Sequence, residues 1–126
     1  MLSRPLDPLL VAVVEDDPSC RTATDRLLHA EGFQTALFPS AEAYISAPPA
    51  APICLILDVH LPGMSGIELQ QRLTGCEGAP PIIMTTGTRD VSIRERAVTT
   101  GCAAFLWKPF DADQLFASIA ACTKGQ

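Results

Sequence analysis

The chain has 126 residues, with 14 acidic and 9 basic side chains and a formal net charge of −5. That length suits one compact domain with a single core. The acidic balance argues against a surface built to grip nucleic acid. No run reaches the roughly 18 apolar residues of a membrane span, and the opening MLSRPLDP lacks the apolar stretch of a secretory signal. Cysteines at 20, 54, 76, 102 and 122 form no CxxC pair. They read as small buried hydrophobes in a reducing cytosol, with neither disulfides nor a zinc site.

Residues 1–8 hold two prolines and read as a loose arm. Leu9 to Val14 is a continuous apolar run that ends in Glu15-Asp16-Asp17. Such a run, bounded by turn residues, predicts a strand buried on both faces. Asp17 suits an N-cap and Pro18 the first turn of a helix. Leu27 and Leu28 continue that helix, and Gly32 ends it. Phe33 to Phe38 predicts a second strand, and Ser40 caps a short helix through Ile45. Three prolines within 46–52 impose a stiff loop. Cys54 to Asp58 predicts a third strand, followed by a Pro62-Gly63 turn and a helix from Met64 to about Leu73. Ile82 to Thr85 is strand four. Asp90 caps a helix that runs to about Thr100. Ala103 to Trp107 is strand five, and Asp111 with Gln114 resembles a capping box opening a last helix. Gly125 closes the chain. The alternation is βα five times over, which predicts an α/β fold with a parallel sheet wound by helices on both faces.

Four strands finish on polar groups: Glu15-Asp16, Asp58, Thr85 and Lys108. In open α/β sheets the carboxyl ends of the strands are where ligands and chemistry gather. If strand one lies beside strand three, three carboxylates share one cleft. Two unit charges about 4 Å apart repel by roughly 4 kcal/mol at an effective dielectric of 20. Such a cleft must raise pKa values or take up a cation, and all-oxygen ligands at a small site favour Mg²⁺. Lys108 adds an ammonium and Thr85 a hydroxyl. The set makes an electrostatic cradle for a phosphoryl group, with Asp58 as the nucleophile.

The motifs Val-Val-Glu-Asp-Asp, Leu-Asp-Val-His-Leu-Pro-Gly-Met-Ser-Gly, Ile-Ile-Met-Thr and Lys-Pro-Phe occur in order. Together they resemble the receiver domain of two-component response regulators over nearly the whole chain. The resemblance implies a flavodoxin-like (βα)5 fold with strand order 2-1-3-4-5, with the domain over 9–122 and a tail at 123–126. It implies that Asp58 accepts phosphate from a histidine kinase or phosphotransfer protein. Asp16, Asp58 and the backbone carbonyl of His60 would ligate Mg²⁺, with Glu15 acting through water. Lys108 would pair with a phosphoryl oxygen, and its bond to Pro109 would be cis. Thr85 would be the hydroxyl switch and Phe105 its aromatic partner, with helix four, strand five and helix five as the output face. A cytoplasmic signalling domain follows, with slow self-dephosphorylation but no enzyme activity on other substrates. The chain reads either as a stand-alone receiver or as the front of a longer regulator, for which the resemblance points to a DNA-binding output module; homodimerisation on phosphorylation is compatible with it, with no direct nucleic-acid or membrane contact.

Departures from the usual pattern bear on rates. Glu15 replaces the more usual Asp, Thr86 stands where a small Ala or Ser is usual, and His60 and Gly87 occupy variable positions that border the attacking water. A haloacid-dehalogenase phosphatase would need a second Asp two residues after the first, where this chain has His60. A flavodoxin-like FMN carrier would need a hydroxyl- and Gly-rich loop after strand one, where Glu15 to Asp17 would repel a phosphate dianion. His29 reads as a surface residue, and Trp107 as packing beside the lysine or over the cleft.

Overall fold

Five strands alternate with five helices in a computed structural model that describes residues 9–87 and 91–124. The elements are β1 (Leu10–Val14), α1 (Pro18–Ala30), β2 (Gln34–Phe38), α2 (Ala41–Ser46) and β3 (Cys54–Asp58). They continue with α3 (Gly66–Thr74), β4 (Ile82–Thr86), α4 (Val91–Thr100), β5 (Ala104–Trp107) and α5 (Ala112–Lys124). The expected arm at 1–8, the Asp90 cap and Gly125 lie outside the described residues. Helix α5 continues through Lys124, two residues into the expected tail.

Local chemistry sets the helix starts. Asp17 accepts hydrogen bonds from the backbone of Ser19 (2.9 Å) and Cys20 (3.5 Å) at the head of α1, where Pro18 leads. Ser40 caps α2 through Ala43 N–H at 3.0 Å. Ser65 and Glu68 form a reciprocal capping box at 3.0 and 3.1 Å. Helix α3 therefore starts at Gly66, two residues later than apolar spacing predicts. The Asp111–Gln114 pair closes the same motif at 2.9 and 2.8 Å.

The sheet is fully parallel in the order β2-β1-β3-β4-β5. Side chains alternate along each strand, so the sheet has two apolar faces. Ala12, Val14, Leu55, Leu57 and Met84 pack with Tyr44 of α2, Leu69 of α3 and Ala97 of α4. Val11, Val13, Cys54, Ile56 and Ile83 pack with Leu28 of α1 and Leu115 and Ile119 of α5. The strand order reverses between β1 and β3, which opens a crevice at their carboxyl ends. Gly66 lets α3 start against that end. A Cβ there would lie 2.1 Å from the Asp58 carbonyl oxygen, and Gly66 N–H donates to Val59 O at 2.9 Å.

Helix α4 buries a single residue, Ala97. Gln70 of α3 is fully buried and donates from Nε2 to the Ala97 carbonyl at 3.2 Å. Its Oε1 has no hydrogen-bond partner among the described residues. The five cysteines are free; Cys54 and Cys122 are buried, as hydrophobes should be. Cys76 departs from that expectation: it is exposed in the loop after α3, where its thiol donates to the Arg72 carbonyl at 3.3 Å.

Candidate functional site

Strand parity gathers the polar ends. Val13, Ile56, Ile83 and Leu106 all face α1 and α5. Counting two residues on from each gives Glu15, Asp58, Thr85 and Lys108, which therefore fall on the same side of the sheet, just past its core. Asp58 and Thr85 are paired in register on β3 and β4. Glu15 (4% exposed), Asp58 (5%) and Thr85 (2%) are buried, while Asp16 is exposed at the rim. Carboxylate oxygens of Glu15, Asp16 and Asp58 all lie within 4.8 Å of one another.

Lys108 joins this cluster from just past the end of β5. Its Nζ lies 2.5 Å from Glu15 Oε1 and 3.5 Å from Asp58 Oδ2. The other Glu15 oxygen accepts from Asp17 N–H at 3.2 Å. Glu15 therefore takes the larger share of the ammonium. Burial works to raise the Glu15 pKa, but the bonds from Lys108 and neighbouring groups hold its carboxyl below the usual range. Asp58 is left short of compensation. Burial, and then the negative charge of Glu15, push its carboxyl up to about 7, although Lys108 and the His60 N–H oppose the shift. Burial works to lower the Lys108 pKa, but Glu15 and Asp58 outweigh it and hold the ammonium charged. The pocket thus carries more negative charge than one lysine offsets, and its donors are all oxygens. That donor set fits a small hard dication such as Mg²⁺.

The surrounding groups fix this geometry. His60 N–H donates to Asp58 Oδ1 at 3.2 Å, and its side chain is exposed. The Lys108–Pro109 bond is cis. Phe105 lies one residue out of phase with Leu106, so it falls on the α4 side, partly buried against that core. Trp107 is half-buried and meets the Phe105 ring edge-on at 5.1 Å. Thr86 is fully buried and out of phase with Thr85. His29 sits away from the cluster, mostly exposed and 3.3 Å from Asp25.

Three features escape the sequence reading. Arg21 donates to the Glu15 carbonyl at 2.8 Å and to the Asp16 carbonyl at 3.5 Å, which pins the acidic turn from inside α1. A helical spacing of four from Asp17 was the available signal. A groove of about 400 Å³, lined by Cys20, Leu27, Lys108, Pro109 and Phe110 among others, flanks the lysine. Within it burial and the Glu15 carboxylate push the Cys20 thiol up to about 11, so it stays a neutral thiol. Glu42 of α2 accepts from Met64 N–H at 2.8 Å in the loop after β3; nothing in its local pattern marks that reach.

Comparison with known proteins bears on the family and the fold. The chain is 37% identical over 110 residues to the transcriptional regulatory protein FixJ of Bradyrhizobium diazoefficiens, covering 86% of this chain and 54% of that protein. Its fold superposes on the crystal structure of FixJ-N with a TM-score of 0.86 at 29% identity, covering 96% and 98% of the two chains. A response regulator receiver protein from Burkholderia phymatum gives a TM-score of 0.80 at 37% identity, covering 92% and 95%. The chain spans about half the length of the curated relatives it matches. With the model of the response regulator receiver domain matching residues 11–120, this chain belongs to the response regulator receiver domain family.

Proposed function

We propose that Asp58 accepts a phosphoryl group from the phosphohistidine of a partner kinase or phosphotransfer protein. An Asp58 oxygen attacks phosphorus, the phosphorus–nitrogen bond breaks, and the departing imidazole nitrogen keeps the electron pair. The observation that carries this reading is the trio of carboxylates within 4.8 Å, with Lys108 bridging Glu15 and Asp58. Asp16, Asp58 and the His60 carbonyl would hold Mg²⁺, with Glu15 acting through water. When bound, that ion supplies charge neutralisation for the phosphoryl oxygens and keeps the Asp58 carboxylate ionised. Lys108 pairs with one phosphoryl oxygen, and the Thr85 hydroxyl donates to another. Phe105 turns in response, which alters the face formed by α4, β5 and α5. Exposed Val91 and Val98 on α4 supply apolar surface for a partner or a second copy there.

The domain, taken as 9–122, is a cytoplasmic phospho-switch that turns over no substrate beyond its own aspartyl phosphate. Among the described residues no helix is long and apolar enough to cross a membrane. The resemblance to FixJ, a transcriptional regulatory protein of which the match covers 54%, supports a DNA-binding output module in the full protein.

The test is addition of Mg²⁺ with beryllofluoride, read by the fluorescence of Trp107, the one tryptophan. Wild type shifts and Asp58→Asn does not. An equal response from both rejects Asp58 as the acceptor. Steady turnover of small phosphate esters would instead support a phosphatase.

A further inference from the structure

Between β3 and α3 the chain is held partly by burial, with Val59 and Leu61 in the core and Met64 packed against it. His60, Pro62 and Gly63 are exposed, and Val59 and Leu61 are the buried side chains. Hydrogen bonds fix the main chain between those anchors. At its start the loop is tied to the acidic pocket, through Val59 N–H to the Thr85 carbonyl (2.9 Å) and His60 N–H to Asp58 Oδ1 (3.2 Å). At its end Ser65 is tied to Glu68.

The middle is tied to a different element. Glu42 Oε2, in the first turn of α2, accepts from Met64 N–H at 2.8 Å across 22 residues of sequence. Gly63 beside it has φ of +73°, and a Cβ there would sit 2.5 Å from the same oxygen. Both the handedness of the turn and the absence of a side chain make room for this carboxylate. The Met64 N–H holds the Glu42 carboxyl below the usual range, as a bond formed to the ionised state does.

We infer that Glu42 is a positioning residue: through Met64 N–H it fixes the β3–α3 loop, and so the His60 main chain beside Asp58, for metal and phosphoryl binding. The inference rests on Asp58 being the phosphoacceptor, and it adds a residue from α2 to that site. Small displacements matter at such a site, because reacting groups must be held to a fraction of an ångström. A bond that merely secured α2 would change stability and leave the site alone.

Four proteins decide the matter: wild type, Asp58→Asn, Glu42→Ala and Glu42→Gln. The readouts are the Mg²⁺ concentration for half-maximal beryllofluoride response, the melting temperature and amide hydrogen exchange at Met64. Glu42→Ala raises the Mg²⁺ midpoint about three- to ten-fold, the scale of one net hydrogen bond, made here by an exposed carboxylate. Its maximal response is kept, and exchange at Met64 accelerates. Glu42→Gln keeps an acceptor oxygen and stays within about two-fold of wild type. A Glu42→Ala midpoint equal to that of a normally responding wild type would overturn the role of Glu42 alone. So would a midpoint shift that follows a fallen melting temperature and is not rescued by Gln. No response from wild type would overturn the Asp58 reading and this inference with it.

Discussion

Asp58 carries a measurable consequence of crowding. Its folded-state carboxyl, pushed up to about 7, lies above the ordinary value of 3.8. The folded protein therefore binds more protons at this group than the unfolded chain does between those values. Stability from this group is present at low pH and is lost as pH rises towards and through 7. Without Mg²⁺, the unfolding free energy from urea titration should fall between about pH 5 and pH 8, by on the order of 2 kcal/mol from this one carboxyl. Asp58→Asn should flatten that slope and be the more stable protein at the upper end. An unchanged slope in the variant would show that another group titrates. Gly66 gives a second test at this scale. Gly66→Ala sets a Cβ 2.1 Å from the backbone oxygen of Asp58, and backbone cannot rotate away. We expect a loss of about 3 kcal/mol or more in chemical unfolding, and a weakened beryllofluoride response because the end of β3 must shift. A fully stable Gly66→Ala would refute that steric account.

Helices differ in how firmly they are held. Helix α4 buries Ala97 alone, while Val91 is 60% and Val98 is 51% exposed. Its tie to α3 runs through Gln70, whose amide nitrogen bonds the Ala97 carbonyl while its Oε1 has no partner among the described residues. An orphaned buried oxygen costs about 1–3 kcal/mol, more than one net hydrogen bond returns. Gln70→Leu should therefore leave stability unchanged or raise it by about 1 kcal/mol, whereas Gln70→Ala should lower it by about 2 kcal/mol through the void it leaves. Equal losses in both variants would show that the amide bond outweighs the orphaned oxygen. Element starts were legible where a cap was local, as at Asp17, Ser40 and Asp111. Apolar spacing places the start of α3 at Met64, but the Ser65–Glu68 box overrides it and the helix begins at Gly66.

At the scale of the whole molecule the two apolar faces of the sheet are separate cores. One carries α2, α3 and α4, and the other carries α1 and α5. Leu57→Ala, in the first, should cost about 2–5 kcal/mol in urea unfolding, whereas Val98→Ala on the exposed face of α4 should stay within about 0.5 kcal/mol. A costly Val98→Ala would mean that α4 is packed more tightly than its exposure indicates. From the sequence alone follow the five βα units and the polar residues at four strand ends, because hydropathy period and turn chemistry are local. Strand order, the His60 carbonyl and the Phe105 switch came from the resemblance of four motifs to a family, whereas the phosphoryl cradle of Asp58, Lys108 and Thr85 followed from the strand ends themselves. The tertiary structure alone decided that Lys108 lies nearer Glu15 than Asp58, that Gln70 is buried against α4, and that Glu42 reaches Met64. Those bonds join residues 93, 27 and 22 positions apart. Pairings of that range depend on how strands and helices pack in three dimensions, which neither periodicity nor capping encodes.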